Sequence, residues 1–253
     1  MSAARSEAIA SFDGQELAVH RVGEGRPVLM LHCLFSSAAM NWIRFGHSVK
    51  LAEAGFEAIM PDLRAHGGSA KPHDPAAYPP GVLVRDVAAV VEALGLAEFD
   101  LVGFSLGART AAGAVVAGLA PRRLVLAGMG LEGLAGWDRR AAFFVDAIDR
   151  FAEIKHGDPA FLAVQFMKTM KVDRIAARLL LGAVADLAID DLAAIAMPTL
   201  VLCGDKDTDN GSPQKLVDAL PNARLQEIPG THMGSVAEPA LGEALVDFLA
   251  RIS

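Results

Sequence analysis

The stretch Gly103-Phe104-Ser105-Leu106-Gly107 places a serine between two glycines where an apolar run gives way to a helical pattern. A nucleophilic serine needs a turn sharp enough to lift its hydroxyl off a sheet, and flanking residues without bulk permit that turn. Two later segments offer the partners such a serine requires. The apolar run Thr199 to Leu202 leads into Cys203-Gly204-Asp205-Lys206-Asp207, which carries carboxylates, and the last apolar run is followed by Pro229-Gly230-Thr231-His232, which carries a base. A hydroxyl, an imidazole and a carboxylate in series make a nucleophile for acyl transfer. The Leu106 N–H, at the start of a helix, is a natural donor to a developing oxyanion. A second donor is expected from His32-Cys33-Leu34-Phe35-Ser36.

The elements that must hold these residues are legible as short Val-, Ile- and Leu-rich runs alternating with helical patterns, the signature of a mostly parallel sheet. Eight strands are expected: Ala8 to Phe12 and Leu17 to Val22, a hairpin joined by Asp13-Gly14, then Pro27 to Leu31, Glu57 to Met60, Phe99 to Val102, Arg123 to Ala127, Thr199 to Leu202 and Arg224 to Ile228. Leu83, Val87, Val90, Val91 and Leu94 repeat at helical spacing before Gly95, Ser212-Pro213 opens a helix over Gln214 to Leu220, and a last helix runs from about Pro239 to Ile252. The small residues Ala108, Ala111, Ala112 and Gly113 let the helix after Ser105 lie close on the sheet. Between Gly130 and Ala194 the alternation stops. Helical patterns run from about Asp138 to Lys155, from Asp158-Pro159 and from about Asp173 to Asp186. The reading is one α/β core domain, residues 1–130 and 195–253, with a helical cap, 131–194, inserted after the sixth strand over the strands' C-terminal ends, where open sheets keep their ligand crevices.

Composition narrows the classes. With 253 residues, 53% hydrophobic and 21% charged, the chain has enough apolar material for one large core and is not a disordered protein. A net charge of -7 argues against a nucleic-acid partner. The longest apolar run, around Ala111 to Ala120, is too short for a membrane span, and Met1 to Glu7 has no apolar signal region, so a cytoplasmic protein without a membrane partner is expected. Cys33 and Cys203 read as buried free thiols. The seven histidines form no spaced cluster with cysteines or carboxylates, so no metal site is expected.

With these residues in view, the whole chain resembles an α/β-hydrolase. It is most similar to small serine esterases with a His-Gly-Leu-Phe-Gly-Ser type loop followed by Asn-Trp, here His32-Cys33-Leu34-Phe35-Ser36-Ser37 and Asn41-Trp42. Pro61-Asp62-Leu63-Arg64-Ala65-His66-Gly67-Gly68-Ser69 resembles the family's Asp-x-Arg-Gly-His-Gly-x-Ser loop, and Pro198 to Asp207 its acid-bearing strand. The resemblance implies Ser105 as nucleophile, His232 as general base and acid, Asp207 as orienting carboxylate, and Leu34 and Leu106 as oxyanion donors, with no cofactor. Asp205 is the next candidate for the acid. Glu132 would serve if the acid followed the sixth strand, as in some family members. His32, His66, Asp62 and Arg64 read as loop-fixing residues. Cys33 and Ser36 stand where the family usually has glycines, and Ala65 also replaces one. A cysteine at 33 bears on the backbone turn that aims the Leu34 N–H.

The implied activity is hydrolysis of carboxylic esters with small, largely apolar acyl groups. The aromatic and Met-rich cap suits an apolar pocket, with Phe35, Trp137, Phe144 and Met233 as candidates for its wall. The partner is a small-molecule substrate, and the protein is expected as a monomer or homodimer. A serine at this turn argues against haloalkane dehalogenation and epoxide hydrolysis, for which the family uses an aspartate. The alternatives are a lactonase or carbon–carbon bond hydrolase on the same residues, which an arginine in the pocket would favour, and a non-catalytic ligand-binding protein.

Overall fold

The computed structural model describes residues 4–251. Among them lies one eight-stranded sheet in the order β1-β2-β4-β3-β5-β6-β7-β8. The strands are β1 (Arg5–Ala10), β2 (Glu16–Gly23), β3 (Arg26–Leu31), β4 (Phe56–Pro61), β5 (Asp100–Phe104), β6 (Leu124–Ala127), β7 (Thr199–Gly204) and β8 (Ala223–Ile228). β2 runs antiparallel to both β1 and β4, and all other pairings are parallel. The turn after β1 is closed by the Gly14 N–H to Ser11 carbonyl bond (2.9 Å), with Gly14 at φ 80°.

Strand residues alternate between two cores, one on each face. In β3, Leu29 and Leu31 enter one cluster while Val28 and Met30 enter the other; in β6, Leu124 and Leu126 part from Val125 and Ala127 in the same way. This is the period of two expected of a pleated strand covered on both faces. One face is covered by α2 (Val82–Ala93) and α3 (Leu106–Val116), the other by α1 (His47–Glu53) and α9 (Pro239–Leu249). Each residue of α3 from Leu106 to Val115 is buried, as its small side chains foretell. Ser212 caps α8 (Pro213–Ala219) by accepting the Lys215 N–H. Ile252, the expected end of α9, lies outside the described residues, and the helix stops at Leu249.

Between β6 and β7 the chain is helical: α4 (Leu131–Ala135), α5 (Trp137–Asp149), α6 (Phe161–Thr169) and α7 (Arg174–Ala183). Their buried residues, including Leu134, Ile148, Val164 and Leu180, join the same cluster as α2 and α3. Several bounds differ from the sequence expectation. α5 ends at Asp149, and Arg150 pairs with Asp146 one turn back and with Asp158 in the loop that follows. Asp158 caps a turn through the Ala160 N–H rather than opening a helix, and α6 starts later. Asp173 does cap α7, accepting from Ile175 and Ala176 N–H groups. Asp186 lies beyond the end of α7 and accepts the Trp137 N–H. The α4 turn and the π-helix at Ala39–Ile43 are held by tertiary bonds and have no sequence signature; Gly133, for instance, donates to the Asn210 carbonyl (2.8 Å).

Candidate active site

β5 delivers Ser105 onto a backbone with φ 55° and ψ −112°, a conformation that a non-glycine residue adopts only when its surroundings enforce it. The surroundings are the two glycines. A Cβ on Gly107 would stand 2.1 Å from the Leu31 carbonyl oxygen, and one on Gly103 would stand 2.3 Å from the Gly107 oxygen. Close passage of α3 over β3 and β5 therefore fixes the turn, and Ser105 N–H is tied to the Ala127 carbonyl at 2.9 Å.

His232 follows β8. Gly230, at φ 119°, accepts from the Lys206 N–H and donates its own N–H to the Asp205 carboxylate (2.8 Å), which binds the β7 and β8 turns together. The imidazole lies against the Phe104 ring, 5.3 Å between centroids, and beside Gly128. Its Nδ1 is 2.8 Å from Asp207 Oδ2 and its Nε2 is 3.0 Å from Ser105 Oγ. A carboxylate can only accept, so Nδ1 carries the proton and Nε2 is free to accept the serine hydroxyl. Asp207 Oδ1 accepts the Asp209 N–H at 3.0 Å. Burial pushes the Asp207 pKa up, but the hydrogen bond and charge of His232, the Asp209 N–H and the Arg140 guanidinium outweigh it, so the carboxyl is held below the usual range. Ser105 and His232 are only 6% and 7% exposed, so their hydrogen bonds are shielded from water.

The other candidate acids are engaged elsewhere. Asp205 holds Gly230, and Glu132 pairs with Lys215 at 2.9 Å and accepts the Ser212 N–H; these bonds pull its carboxyl down to about 2. Among the described residues, the group of possible metal ligands that comes close together is Asp207, Asp209 and His232, with atoms within 4.8 Å. An ion there would compete with the bond already joining His232 to Asp207.

The loop after β3 is braced by two buried histidines. His32 donates from Nδ1 to the Cys33 carbonyl and accepts the Leu63 N–H; His66 donates from Nδ1 to the Arg64 carbonyl and accepts the Phe35 N–H, each at 2.8–2.9 Å. Asp62 accepts from Ala38 and Gly68 N–H groups, both at 2.7 Å. The left-handed non-glycine residues here are Phe35 (φ 61°) and Ala65 (φ 68°). Cys33 is not left-handed, so the glycine usual at that position is not required by φ; its N–H donates to Asn41 Oδ1 at 3.1 Å.

Both histidines must stay neutral to accept. Burial, reinforced by the neighbouring His32, drives the pKa of His66 from 6.5 to about 3. The unfolded chain thus takes up a proton that the folded His66 refuses across this interval. Stability contributed by neutral His66 is whole above pH 6.5 and falls by about 1.4 kcal/mol per pH unit at full slope as the pH drops toward 3. Urea unfolding of His66→Gln between pH 7 and 4 should show a shallower decline than wild type. Parallel declines would contradict a neutral buried His66.

Leu34, Ser105 and Leu106 line one narrow cavity, whose far wall is Trp137, Arg140 and Phe144 from one face of α5. Its volume is about 10 Å³, room for about one water molecule. Two expected wall residues fall elsewhere. Phe35 is buried behind Phe144, edge to face at 5.3 Å, and Met233 is 42% exposed in the turn after His232. Arg140, Met129 and Asn210 line the cavity without having been singled out from the sequence. For Arg140 the signal was present, because 137, 140 and 144 share one helical face.

A family model described as alpha/beta hydrolase fold matches residues 26–169, more than half of the chain, and the chain belongs to that family. It is similar to epoxide hydrolase 2 of Siraitia grosvenorii, 32% identical over 102 residues, which are 40% of this chain and 31% of that protein. The match thus spans under a third of that relative's length. A non-heme haloperoxidase of Rhodococcus erythropolis is 28% identical over 269 residues, 89% of this chain and 92% of the relative. Among solved structures, an esterase from Exiguobacterium antarcticum superposes with a TM-score of 0.81 at 21% identity, covering 98% of this chain and 100% of that one, a likeness of fold alone. No helix among the described residues is long and apolar enough to cross a membrane.

Proposed function

We propose that this chain is a serine hydrolase that cleaves carboxylic esters of small, largely apolar acyl groups. The observation that carries the reading is the continuous chain of hydrogen bonds from Ser105 Oγ through His232 to Asp207. His232 Nε2 takes the hydroxyl proton as Ser105 Oγ bonds to the ester carbonyl carbon. The resulting oxyanion is met by the Leu34 and Leu106 N–H groups, and such a donor contributes about 2.7–4 kcal/mol. The alkoxy C–O bond then breaks as the leaving alcohol takes the proton from Nε2. Water repeats the cycle in reverse, giving its proton to His232 and releasing the carboxylic acid from Ser105. Ionised Asp207 stabilises the imidazolium formed in each half. The epoxide hydrolase relatives do not redirect this reading, since a serine holds the position where that chemistry calls for aspartate.

Helix α5 and the neighbouring α4, α6 and α7 act as a cap in this reading. The cavity is narrow, so a small acyl group is favoured, and its entry requires part of the Trp137 and Phe144 wall to shift. A second reading, hydrolysis of a lactone or of a carbon–carbon bond on the same residues, is favoured by Arg140 in the cavity wall.

Fluorophosphonate labelling of the native protein should place one adduct on Ser105, and p-nitrophenyl esters of short acyl chains should turn over. Absence of the adduct in folded protein would leave a ligand-binding protein and sink the hydrolase. Turnover of lactones or diketones alone would move the substrate class to the second reading.

A further inference from the structure

We infer that Arg140 is a specificity residue that pairs with a carboxylate carried by the substrate, so that the preferred substrates are esters or lactones with a free anionic end. The inference rests on the hydrolase reading above and revises its acyl group, adding a carboxylate to the end remote from the ester.

The two arginines of the cavity wall are in different states. Arg109 is spent on the fold: Nε and one terminal nitrogen donate to the Gly133 carbonyl, the other donates to the Ala185 carbonyl, and Asp186 completes an ion pair at 3.3 Å. Arg140 makes one hydrogen bond, from a single terminal nitrogen to the Asp209 carbonyl oxygen. Among the described residues it is in no ion pair, although its guanidinium is half-buried and lines the cavity beside Ser105. A guanidinium has five N–H donors in a planar fork, so most of those of Arg140 have no protein partner among the described residues.

Holding that charge in place is costly. Burial pulls its pKa down, opposed by the more distant Asp209 and Asp207 carboxylates. The Phe144 ring lies 5.8 Å from the guanidinium carbon, and Trp137, whose ring stands by Arg109, lines the same cavity. A half-buried cation with unpaired donors, beside the Phe144 ring and in the wall of the cavity that holds Ser105, matches a planar anion presented at the end of an apolar chain. The aromatics take the chain and Arg140 takes the carboxylate, while the scissile carbonyl sits over Ser105. The same contact would register a lactone that bears a carboxylate.

The test compares mono-p-nitrophenyl esters of linear dicarboxylic acids with p-nitrophenyl esters of the monocarboxylic acids of equal chain length. Wild type should prefer the charged member of at least one pair through a lower KM. In Arg140→Gln the ratio of kcat/KM, charged over neutral, should fall about 30-fold or more for that pair, and Arg140→Lys should recover part of it, since it keeps the charge but not the fork. Equal losses on both members would mean that Arg140 only secures the Asp209 turn, and would overturn the inference. So would a wild-type enzyme that favours the neutral esters at every chain length; in both cases the hydrolase reading would stand. No turnover of any ester together with no adduct at Ser105 would overturn the hydrolase reading, and this inference with it.

Discussion

Ser105→Ala should lower kcat on any ester that the wild type hydrolyses by about 10⁴-fold or more while leaving the folded structure intact. The size follows from the arrangement. His232 Nε2 has Ser105 Oγ within 3.0 Å, so removing the hydroxyl leaves the base with no nucleophile to activate. Alanine is tolerated because the conformation at φ 55° is imposed by neighbours and is not sensitive to one oxygen. The residual rate measures what the cavity and the Leu34 and Leu106 N–H groups achieve by themselves. Single-turnover assays with a nitrophenyl ester, alongside a thermal melt, separate chemistry from folding. A variant retaining a tenth of the wild-type rate would remove Ser105 from the reaction.

The largest effect on stability is expected from Gly107→Ala. The added methyl would stand 2.1 Å from the Leu31 oxygen, 2.5 Å from the Leu31 carbonyl carbon and 2.8 Å from the His32 oxygen, all backbone atoms. Nothing flexible can yield, so α3 must lift from the sheet or the loop bearing Leu34 must shift. We expect a loss of about 3–5 kcal/mol, read as a fall in Tm of about 10 °C, or no soluble protein. Gly182→Ala is the control. Gly182 is exposed within α7 with nothing inside 4 Å of the added carbon, so the same methyl should stabilise slightly through helix propensity. Equal melting temperatures for Gly107→Ala and wild type would refute the close approach of α3.

The strands were legible because residues such as Val28 to Leu31 and Leu200 to Leu202 are buried on both faces of the sheet and read as unbroken apolar runs. Ser105 was legible because it follows such a run directly, and Asp207 and His232 because each lies within four residues of the end of a later strand; the structure brings the three together. The wall of the cavity was legible in part: Trp137 and Phe144 line it as expected, while Phe35 and Met233 do not. Helical spacing groups 137, 140 and 144 on one face, but which face of α5 turns toward Ser105 depends on how the helix lies across the sheet, a tertiary fact. Met233 is adjacent to His232 in sequence yet exposed, whereas Arg140 is remote in sequence yet in the cavity. The loop after β3 shows the same limit from the other side. A cysteine in a glycine's place suggested a disturbed turn, but the left-handed residue is Phe35, held by His66.

The two thiols have a practical consequence. Cys33 and Cys203 are the chain's cysteines; both are buried, and burial pushes each up to about 12. At neutral pH neither offers a thiolate to a maleimide or an iodoacetamide dye. One cysteine placed on the surface would then be the sole attachment point, with no need to strip the native ones. Leu162, 78% exposed at the start of α6, is such a place, and Leu162→Cys would put a fluorophore on the helical segment between β6 and β7 that is proposed to act as a cap. The opening that a substrate needs to enter could be watched in the otherwise unaltered enzyme, one molecule at a time.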